Sequence, residues 1–424
     1  MAAPALNHSQ PRRPAGKAEA SGMNRATGRL SFLYAALFFE LGVNLPFFPL
    51  WLRSQSLGDE AIGIVLAAPL LIRIVANPVV GALADRHGRM SAALVVCSGA
   101  VVIGTALLAF ARGFLPILLL VVAIALAQGP LIALTDAVTL RSLNGLRSAE
   151  LRYGRIRLWG SAGFALASLS AGWLLDWLPA SSIIGMLLLS ALATALAAIV
   201  VARMRMPEAP AVSGETTVGR GRPHLLVLTI AGAALVQASH AAVYGFSTLH
   251  WQSLGISGGT MGSLWAAGIV SEITVFSLLG HVVRGPAGAA ALLAISGVVA
   301  TLRWAGMAAD PDIAFVVLLQ LMHGLTFGAT HLSSVFLLAK FAPRGMLAQA
   351  QAWLAAGWAG AMAALTALAG YLYGSWGEHI YGLMAAAAGV GVLLLIPVAA
   401  NLRRDDLLPL AVAAEVEPPL GKLG

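Results

Sequence analysis

The sequence predicts an all-α membrane protein with twelve transmembrane helices in two pseudo-symmetric six-helix halves. Of the 424 residues, 59% are hydrophobic and only 10% are charged, and the mean hydropathy is +0.84. A soluble domain of this length needs more charge to cover its surface, whereas a lipid bilayer tolerates an apolar outer surface. The composition therefore argues against a soluble protein.

The twelve helices are predicted from apolar runs, each of which is long enough to cross a bilayer, a distance of about 20 helical residues. Polar or turn-forming residues separate the runs. The predicted spans, numbered 1 to 12 in chain order, are 30–52, 60–83, 91–111, 114–140, 156–176, 180–202, 225–251, 259–283, 287–308, 312–340, 346–374 and 379–401.

The longest polar interruption, residues 203–223, is rich in Pro, Gly and Ser and divides the spans six and six. We therefore predict an N-terminal six-helix bundle over residues 30–202, a cytoplasmic linker over 203–223 and a C-terminal six-helix bundle over 224–402. Residues 1–29 are predicted as a disordered cytoplasmic tail and residues 403–424 as a second cytoplasmic tail.

The Lys and Arg residues are placed asymmetrically between the spans, which predicts the orientation. With the N-terminus inside, every Lys and Arg lies on the cytoplasmic side except Arg53 and Arg112 in outer loops and Arg73 and Arg303 within spans. This asymmetry explains the net charge of +8 without nucleic acid as a partner. The expected location is a bacterial inner membrane, with both termini in the cytoplasm.

The connection between spans 2 and 3 reads Gly-Ala-Leu-Ala-Asp-Arg-His-Gly-Arg over residues 81–89. Glycines permit a tight turn between helices, and the acid can pair with a cation or accept from a helix N-terminus. The segment resembles the signature loop of the major facilitator superfamily. The matching residues are Gly81, Asp85, Arg86, Gly88 and Arg89.

The two halves repeat several residues at equal spacing. Arg73 in span 2 and Glu272 in span 8 each lie eight residues before a glycine, and Gln128-Gly129 in span 4 matches His323-Gly324 in span 10. Duplicated halves are typical of facilitator-type transporters, whose substrate site lies at the interface of the halves near the bilayer midplane. The repeat predicts ionisable groups at equivalent places in both halves.

A narrower resemblance is based on Thr135-Asp136 in span 4, on residues 153–161 at the start of span 5, and on Glu272, Arg303 and His323. These residues resemble the branch that contains 3-phenylpropionate permeases and is similar to lactose permease. The resemblance implies a secondary active transporter, a proton-coupled symporter of a small organic, aromatic carboxylate that works by alternating access. A proton-coupled sugar or nucleoside permease and a drug or metabolite exporter remain alternatives.

A charge at the bilayer centre costs about 2.5–3.5 kcal/mol or more, so ionisable residues within spans are candidates for function. Glu272, Arg303 and His323 lie at similar predicted depth and can exchange partners as protons bind and leave. Lactose permease has the same three residue types, which implies proton coupling here. Its proton-carrying glutamate three residues after the histidine is replaced by Thr326. Glu272 is therefore the first candidate.

The reserve candidates for the proton carrier are Glu40 in span 1 and His331 in span 10. A buried ion pair that only fixes packing is the alternative interpretation of the whole set.

The same resemblance implies that Asp136 and Arg157 hold the substrate. A planar guanidinium is suited to binding a carboxylate bidentately. Both residues stand near predicted cytoplasmic helix ends, so a structural salt bridge is the competing interpretation.

Further substrate-binding candidates lie in spans 1 and 2. Arg73 could bind a carboxylate in the same way, with Asn77 one turn away. Asn44 shares a face of span 1 with Glu40, for which we predict a pair with Arg73 across the two helices.

Other classes of function find little support. We find no nucleophile with a suitably spaced base, no set of metal ligands and no phosphate-binding glycine loop, so neither an enzyme nor a cofactor nor a metal is expected. His240 and His250 in span 7 are expected to be structural. A non-transporting sensor is a further alternative. The expected partners are the lipid bilayer, a small-molecule substrate and protons, and the chain is expected to act as a monomer.

Overall fold

A computed structural model describes residues 17–86, 89–143, 149–204, 222–279, 285–343 and 345–415. The secondary structure of these residues is helical, without strands. Eleven helices within them are long and apolar enough to cross a membrane, and one of these, Leu347–Leu402, contains two predicted spans. Those two spans meet at a short turn, Gly377–His379. The structure therefore agrees with the twelve predicted spans.

The spans of the N-terminal half follow the predicted boundaries within a few residues, apart from the starts of spans 1 and 5, and span 5 begins seven residues earlier than predicted. Their bounds are Lys17–Ser54, Asp59–Arg86, Met90–Leu108, Phe114–Gln128 with Leu131–Leu143 for span 4, Ala149–Leu175, and Ile183–Ala202 after the turn Ala180–Ser182.

The C-terminal half repeats this arrangement. Its spans are Pro223–Ala238 with Ala241–Ser253 for span 7, Gly258–Leu279, Gly285–Met307, Ile313–Leu321 with Gly324–Gly328 and Ala329–Phe341 for span 10, Leu347–Trp376, and Ile380–Glu415.

The helices at the two ends of the chain extend into the predicted tails. Span 1 begins at Lys17 and not near residue 30, and span 12 continues to Glu415. Both extensions consist mainly of Ala, Leu, Lys, Arg and Glu, which favour the helical state even without an apolar face. The structure is thus helical from Lys17 onward, where the sequence analysis expected a tail over residues 1–29. Residues 1–16, 205–221 and 416–424 lie outside the described residues.

Buried apolar side chains form three clusters, and their distribution shows how the halves meet. The largest cluster draws on both halves, from Val43 in span 1 to Ala388 in span 12. The second contains only residues of the N-terminal half, and the third only residues of the C-terminal half. The shared cluster lies at the predicted extracellular ends of the spans. The separate clusters lie at the predicted cytoplasmic ends, where the described halves stand apart.

Close backbone contacts join the halves at the predicted extracellular ends. Span 2 packs against span 11, where a Cβ atom on Gly63 would lie 2.8 Å from Gly370 Cα. Span 5 packs against span 8, and Thr248 Oγ1 donates to the Pro46 carbonyl at 2.6 Å. Small residues allow such close helix packing. With the predicted orientation, the protein is closed to the outside.

Candidate functional site

A cavity of about 460 Å³ lies between the two halves, within the range usual for small-molecule sites. Both halves contribute side chains to its wall, as expected for duplicated transporters. The aromatic side chains that line it are Phe38, Phe48, Phe164, Tyr244, Trp265, Phe327 and Trp358. The charged and imidazole side chains that line it are Glu40, Arg73, Arg157, Glu272, Arg303 and His323.

Arg157 extends from span 5 over an aromatic face. Its Cζ atom lies 4.2 Å from the ring centroid of Phe38 and 5.6 Å from that of Tyr34. Among the described residues no acceptor lies within hydrogen-bond distance of its guanidinium, although Glu272 across the cavity interacts with it electrostatically. The stacked rings hold the planar group in place while its N–H donors stay available.

Glu272 and His323 face each other across spans 8 and 10. His323 Nε2 lies 3.7 Å from Glu272 Oε2, and His323 Nδ1 lies 3.4 Å from Arg303 Nη1. A guanidinium can only donate, so Nδ1 accepts and Nε2 carries the proton of the neutral ring. The imidazole therefore presents its N–H toward Glu272. Of the predicted proton-coupling residues, the structure brings Glu272, His323 and Arg303 together, but not Glu40 or His331.

Arg303 is 1% exposed and has polar partners other than the predicted acid. It donates to Gln320 Oε1 at 2.6 Å and to Thr326 Oγ1 at 2.9 Å. Thr326 belongs to a single π-helical turn, Gly324–Gly328, which follows His323 in span 10. Such turns are frequent at functional sites. The turn places His323 and Thr326 on one side of Arg303.

His240 also belongs to this cluster, which the sequence analysis did not predict. It lies at the break in span 7, and its Nε2 is 3.1 Å from Thr326 Oγ1 and 3.5 Å from Arg303 Nη1. Its Nδ1 donates to the Gln237 carbonyl at 3.0 Å. The ring also meets His323 edge to face, with centroids 5.3 Å apart. The sequence analysis expected a structural histidine here, and the signal for a role in the site was the position of His240 near the middle of span 7.

In the N-terminal half, Gln128 stands between Glu40 and Arg73. Its Nε2 donates to Glu40 Oε1 at 2.7 Å, and its Oε1 accepts from Arg73 Nη2 at 2.8 Å. The predicted direct pair of Glu40 with Arg73 was therefore wrong, because the amide of span 4 bridges the two groups. The repeat of Gln128-Gly129 in His323-Gly324 was the signal that could have identified Gln128.

The remaining predicted substrate residues differ in position. Asn44 lines the cavity, whereas Asn77 is exposed and lies beside Gly129. Asp136 accepts hydrogen bonds from the hydroxyl groups of Tyr34 and Tyr153, the second at 3.1 Å. It is thus held by tyrosines of spans 1 and 5 and lies outside the cavity wall.

His331 and the signature loop lie away from the cavity wall. His331 is exposed, and Arg157 is the charged group that influences it electrostatically. Gly81 and Arg86 belong to the end of span 2, and the Arg89 amide donates to the Ala84 carbonyl at 3.0 Å. Gly88 and the side chain of Asp85 lie outside the described residues.

His250 connects loops at the predicted extracellular face. Its Nε2 lies 3.0 Å from Asp310 Oδ1 and its Nδ1 lies 4.0 Å from Glu378 Oε2. The three residues offer atoms within 4.8 Å of one another, close enough for a metal ion, which the sequence analysis did not anticipate. The imidazole already has a carboxylate partner in Asp310, so an ordinary ion pair between loops explains the arrangement as well as a metal site does.

Comparison with known proteins places the chain among transporters. The probable 3-phenylpropionic acid transporter of Escherichia coli (strain K12) is 29% identical over 376 residues, covering 86% of this chain and 96% of the relative. The maltose permease of Geobacillus stearothermophilus is 28% identical over 378 residues, covering 86% and 92%. The predicted resemblance to the 3-phenylpropionate branch is confirmed.

Solved transporter structures share the fold. A mutant of the nucleoside transporter NupG matches with a TM-score of 0.74 at 15% identity, covering 88% of this chain and 99% of that chain. The POT family transporter PepTSo matches with a TM-score of 0.69 at 13% identity, covering 90% and 98%. A sequence model of the MFS_1-like family matches residues 28–381. The chain is therefore a multi-pass membrane transporter of the major facilitator type, and it belongs to the MFS_1-like family.

Proposed function

We propose that the protein is a proton-coupled symporter of a small aromatic carboxylate. The observation that carries this proposal is Arg157, a guanidinium at the cavity wall that has no acceptor among the described residues. A carboxylate is the planar anion that such a fork binds bidentately. The probable 3-phenylpropionic acid transporter among its relatives supports the same substrate class.

The aromatic part of the substrate would lie against three other rings of the cavity wall. Trp265 has its ring centroid 6.5 Å from that of Phe164 and 5.8 Å from that of Tyr244. Phe164 belongs to the N-terminal half and the other two rings to the C-terminal half. An aryl group among them would gain apolar burial and offset ring contacts. A substrate between Arg157 and Trp265 would therefore contact both halves.

Glu272 is the proposed proton carrier, and His323 directs an N–H toward it. The charged residues of the cavity wall are the two carboxylates Glu40 and Glu272 and the three guanidinium groups of Arg73, Arg157 and Arg303. Protonation of Glu272 makes the site more positive and favours entry of an anion. Loss of that proton to the cytoplasm reverses the effect and favours release. The proton gradient thereby drives accumulation without a cofactor.

Alternating access would require the two halves to rock about this cavity. In the structure the predicted extracellular ends are packed and the opposite ends stand apart, as in a state that releases substrate to the cytoplasm. The outward-facing state would separate span 2 from span 11 and span 5 from span 8. We place the protein in a bacterial inner membrane as a monomer, with both termini in the cytoplasm.

The test is proton movement in vesicles that contain the purified protein. Adding 3-phenylpropionate should raise the pH outside the vesicles. Its neutral amide should not, because an amide cannot accept the two charge-assisted hydrogen bonds that Arg157 donates to a carboxylate. Proton uptake with maltose or a nucleoside, and none with carboxylates, would show that the protein is a sugar or nucleoside permease. A proton movement of opposite direction would indicate an exporter.

A further inference from the structure

Spans 2 and 4 bring Arg73 and Gln128 together at the positions that the internal repeat makes equivalent to Glu272 and His323. Arg73 Nη2 donates to Gln128 Oε1 at 2.8 Å, and His323 Nε2 lies 3.7 Å from Glu272 Oε2. Arg73 of the N-terminal half thus occupies the position equivalent to Glu272 of the C-terminal half, and its charge is opposite to that of a carboxylate.

A glycine brings each pair together. A Cβ atom on Gly129 would lie 2.8 Å from Arg73 Cγ, and one on Gly324 would lie 2.8 Å from the backbone nitrogen of Glu272. A larger residue at Gly324 would push span 10 away from the backbone of span 8, and a larger residue at Gly129 would displace the side chains of Arg73 and Asn77. In both halves a glycine directly follows the residue of the pair on span 4 or span 10 and leaves room for its partner helix, so the N-terminal pair belongs to the internal repeat.

The Gln128 amide has its orientation set by its two neighbours. A carboxylate only accepts hydrogen bonds and a guanidinium only donates them. The NH₂ group must therefore face Glu40 and the carbonyl oxygen must face Arg73. Glu40 is 3% exposed, and it acts as the counter-charge of Arg73 through this amide. No carboxylate among the described residues lies within hydrogen-bond distance of Arg73.

We propose that Arg73 is a second carboxylate-binding group, which Glu40 controls through Gln128. While Glu40 is ionised, its charge balances that of Arg73 and an additional anion is disfavoured. When Glu40 takes up a proton, Arg73 becomes a cation without a counter-charge in the cavity wall, which favours an incoming carboxylate. One proton on Glu40 is thereby linked to one carboxylate at Arg73. Gln128 is a positioning residue in this arrangement.

Other ionisable groups face the same cavity and belong to the same charge balance. From the N-terminal half this is Arg157, and from the C-terminal half these are Tyr244, Glu272, Arg303 and His323. The inference rests on the proposed carboxylate transport. It adds a second proton site, Glu40 in span 1, which controls substrate binding separately from Glu272. Substrate affinity should therefore follow the protonation of Glu40 even when Glu272 is replaced.

The experiment measures the dissociation constant of 3-phenylpropionate for the purified full-length protein at a series of pH values. The measurement is made in a Glu272→Gln background, which leaves Glu40 as the linked carboxylate, and there the constant should rise about tenfold per pH unit above the transition. Adding Glu40→Gln to this background keeps an acceptor for Gln128, and the double variant should bind tightly with no such rise. Arg73→Lys, which keeps the charge but loses the fork, should weaken binding about tenfold at low pH. Gln128→Leu should reduce the pH dependence.

The exposed acid Glu60 at the start of span 2 supplies the control, and Glu60→Gln should behave as the unmodified protein. The inference is overturned if Glu40→Gln retains the pH dependence while Glu272→Gln loses it, an outcome that leaves the proposed symport intact. Normal binding by Arg73→Lys and Gln128→Leu would also overturn it. Absence of carboxylate binding by the unmodified protein at every pH would overturn both proposals.

Discussion

The guanidinium of Arg157 lies over the ring of Phe38, with its Cζ atom 4.2 Å from the ring centroid. Span 5 supplies the cation and span 1 the ring, so the contact joins two helices of the same half. A cation held by a π face keeps its N–H donors free for a ligand, unlike one that is held by a carboxylate. This distinguishes Arg157 from Arg303, whose donors are engaged by Gln320 and Thr326.

Replacement of Arg157 by Lys should weaken binding of 3-phenylpropionate by about tenfold to a hundredfold, because charged hydrogen bonds contribute about 1.5–3 kcal/mol. Binding of the neutral amide should change little. The measurement is the ratio of the two dissociation constants. Arg155→Lys, an exposed arginine of the same helix, is the matched control. An equal loss for acid and amide would show that Arg157 is structural.

Replacement of Glu272 by Gln should abolish accumulation against a gradient while sparing exchange of labelled for unlabelled substrate. Accumulation needs a group that gains and loses a proton, whereas exchange needs only the movement of the loaded carrier. Both are measured in the same vesicles, with Glu60→Gln as the control. Normal accumulation by the variant would remove Glu272 as the proton carrier.

The spans could be predicted from the sequence because hydropathy is a local property of about 20 residues. The partners of the buried charges depend on how each helix is rotated, which packing decides. Glu272 and His323 were predicted to meet because their depths could be counted from the span ends. Depth alone does not show which neutral residues lie beside the buried charges. The roles of Gln128 and His240 could therefore not be predicted from the sequence.

The outer closure contains a charged contact between the halves. Asp176 at the end of span 5 accepts from the backbone amides of Gly258 at 2.5 Å and Gly259 at 3.0 Å. These amides begin span 8, so a carboxylate of one half caps a helix of the other. Asp176→Asn removes the negative charge from this helix N-terminus, a loss of up to about 1 kcal/mol, which shifts the ratio of inward-facing to outward-facing protein by up to about fivefold toward the outward state.

Pulsed electron paramagnetic resonance measures that shift as the distance between labels on the cytoplasmic ends of the halves. Arg155 and Lys340 are exposed positions for these labels, in a background without Cys97. Asp312→Asn is the control, because Asp312 caps span 10 by accepting from the Phe315 amide at 3.0 Å within one half. Similar shifts for both variants would assign the effect to cap loss in general and not to the contact between halves.

The contact of Gly63 with Gly370 is needed to close the predicted extracellular ends, so a bulky residue at Gly63 should interrupt the transport cycle at that step. A Cβ atom on Gly63 would lie 2.8 Å from Gly370 Cα, so Gly63→Leu cannot close the predicted extracellular ends. The variant should bind 3-phenylpropionate but lose most transport, since it cannot reach the state described here. Gly185→Leu, where a Cβ atom would meet nothing within 4 Å, should transport normally. Full transport by Gly63→Leu would show that spans 2 and 11 need not approach this closely during the cycle, and the closed outer end would then be maintained by the contacts of span 5 with span 8 and of span 1 with span 7.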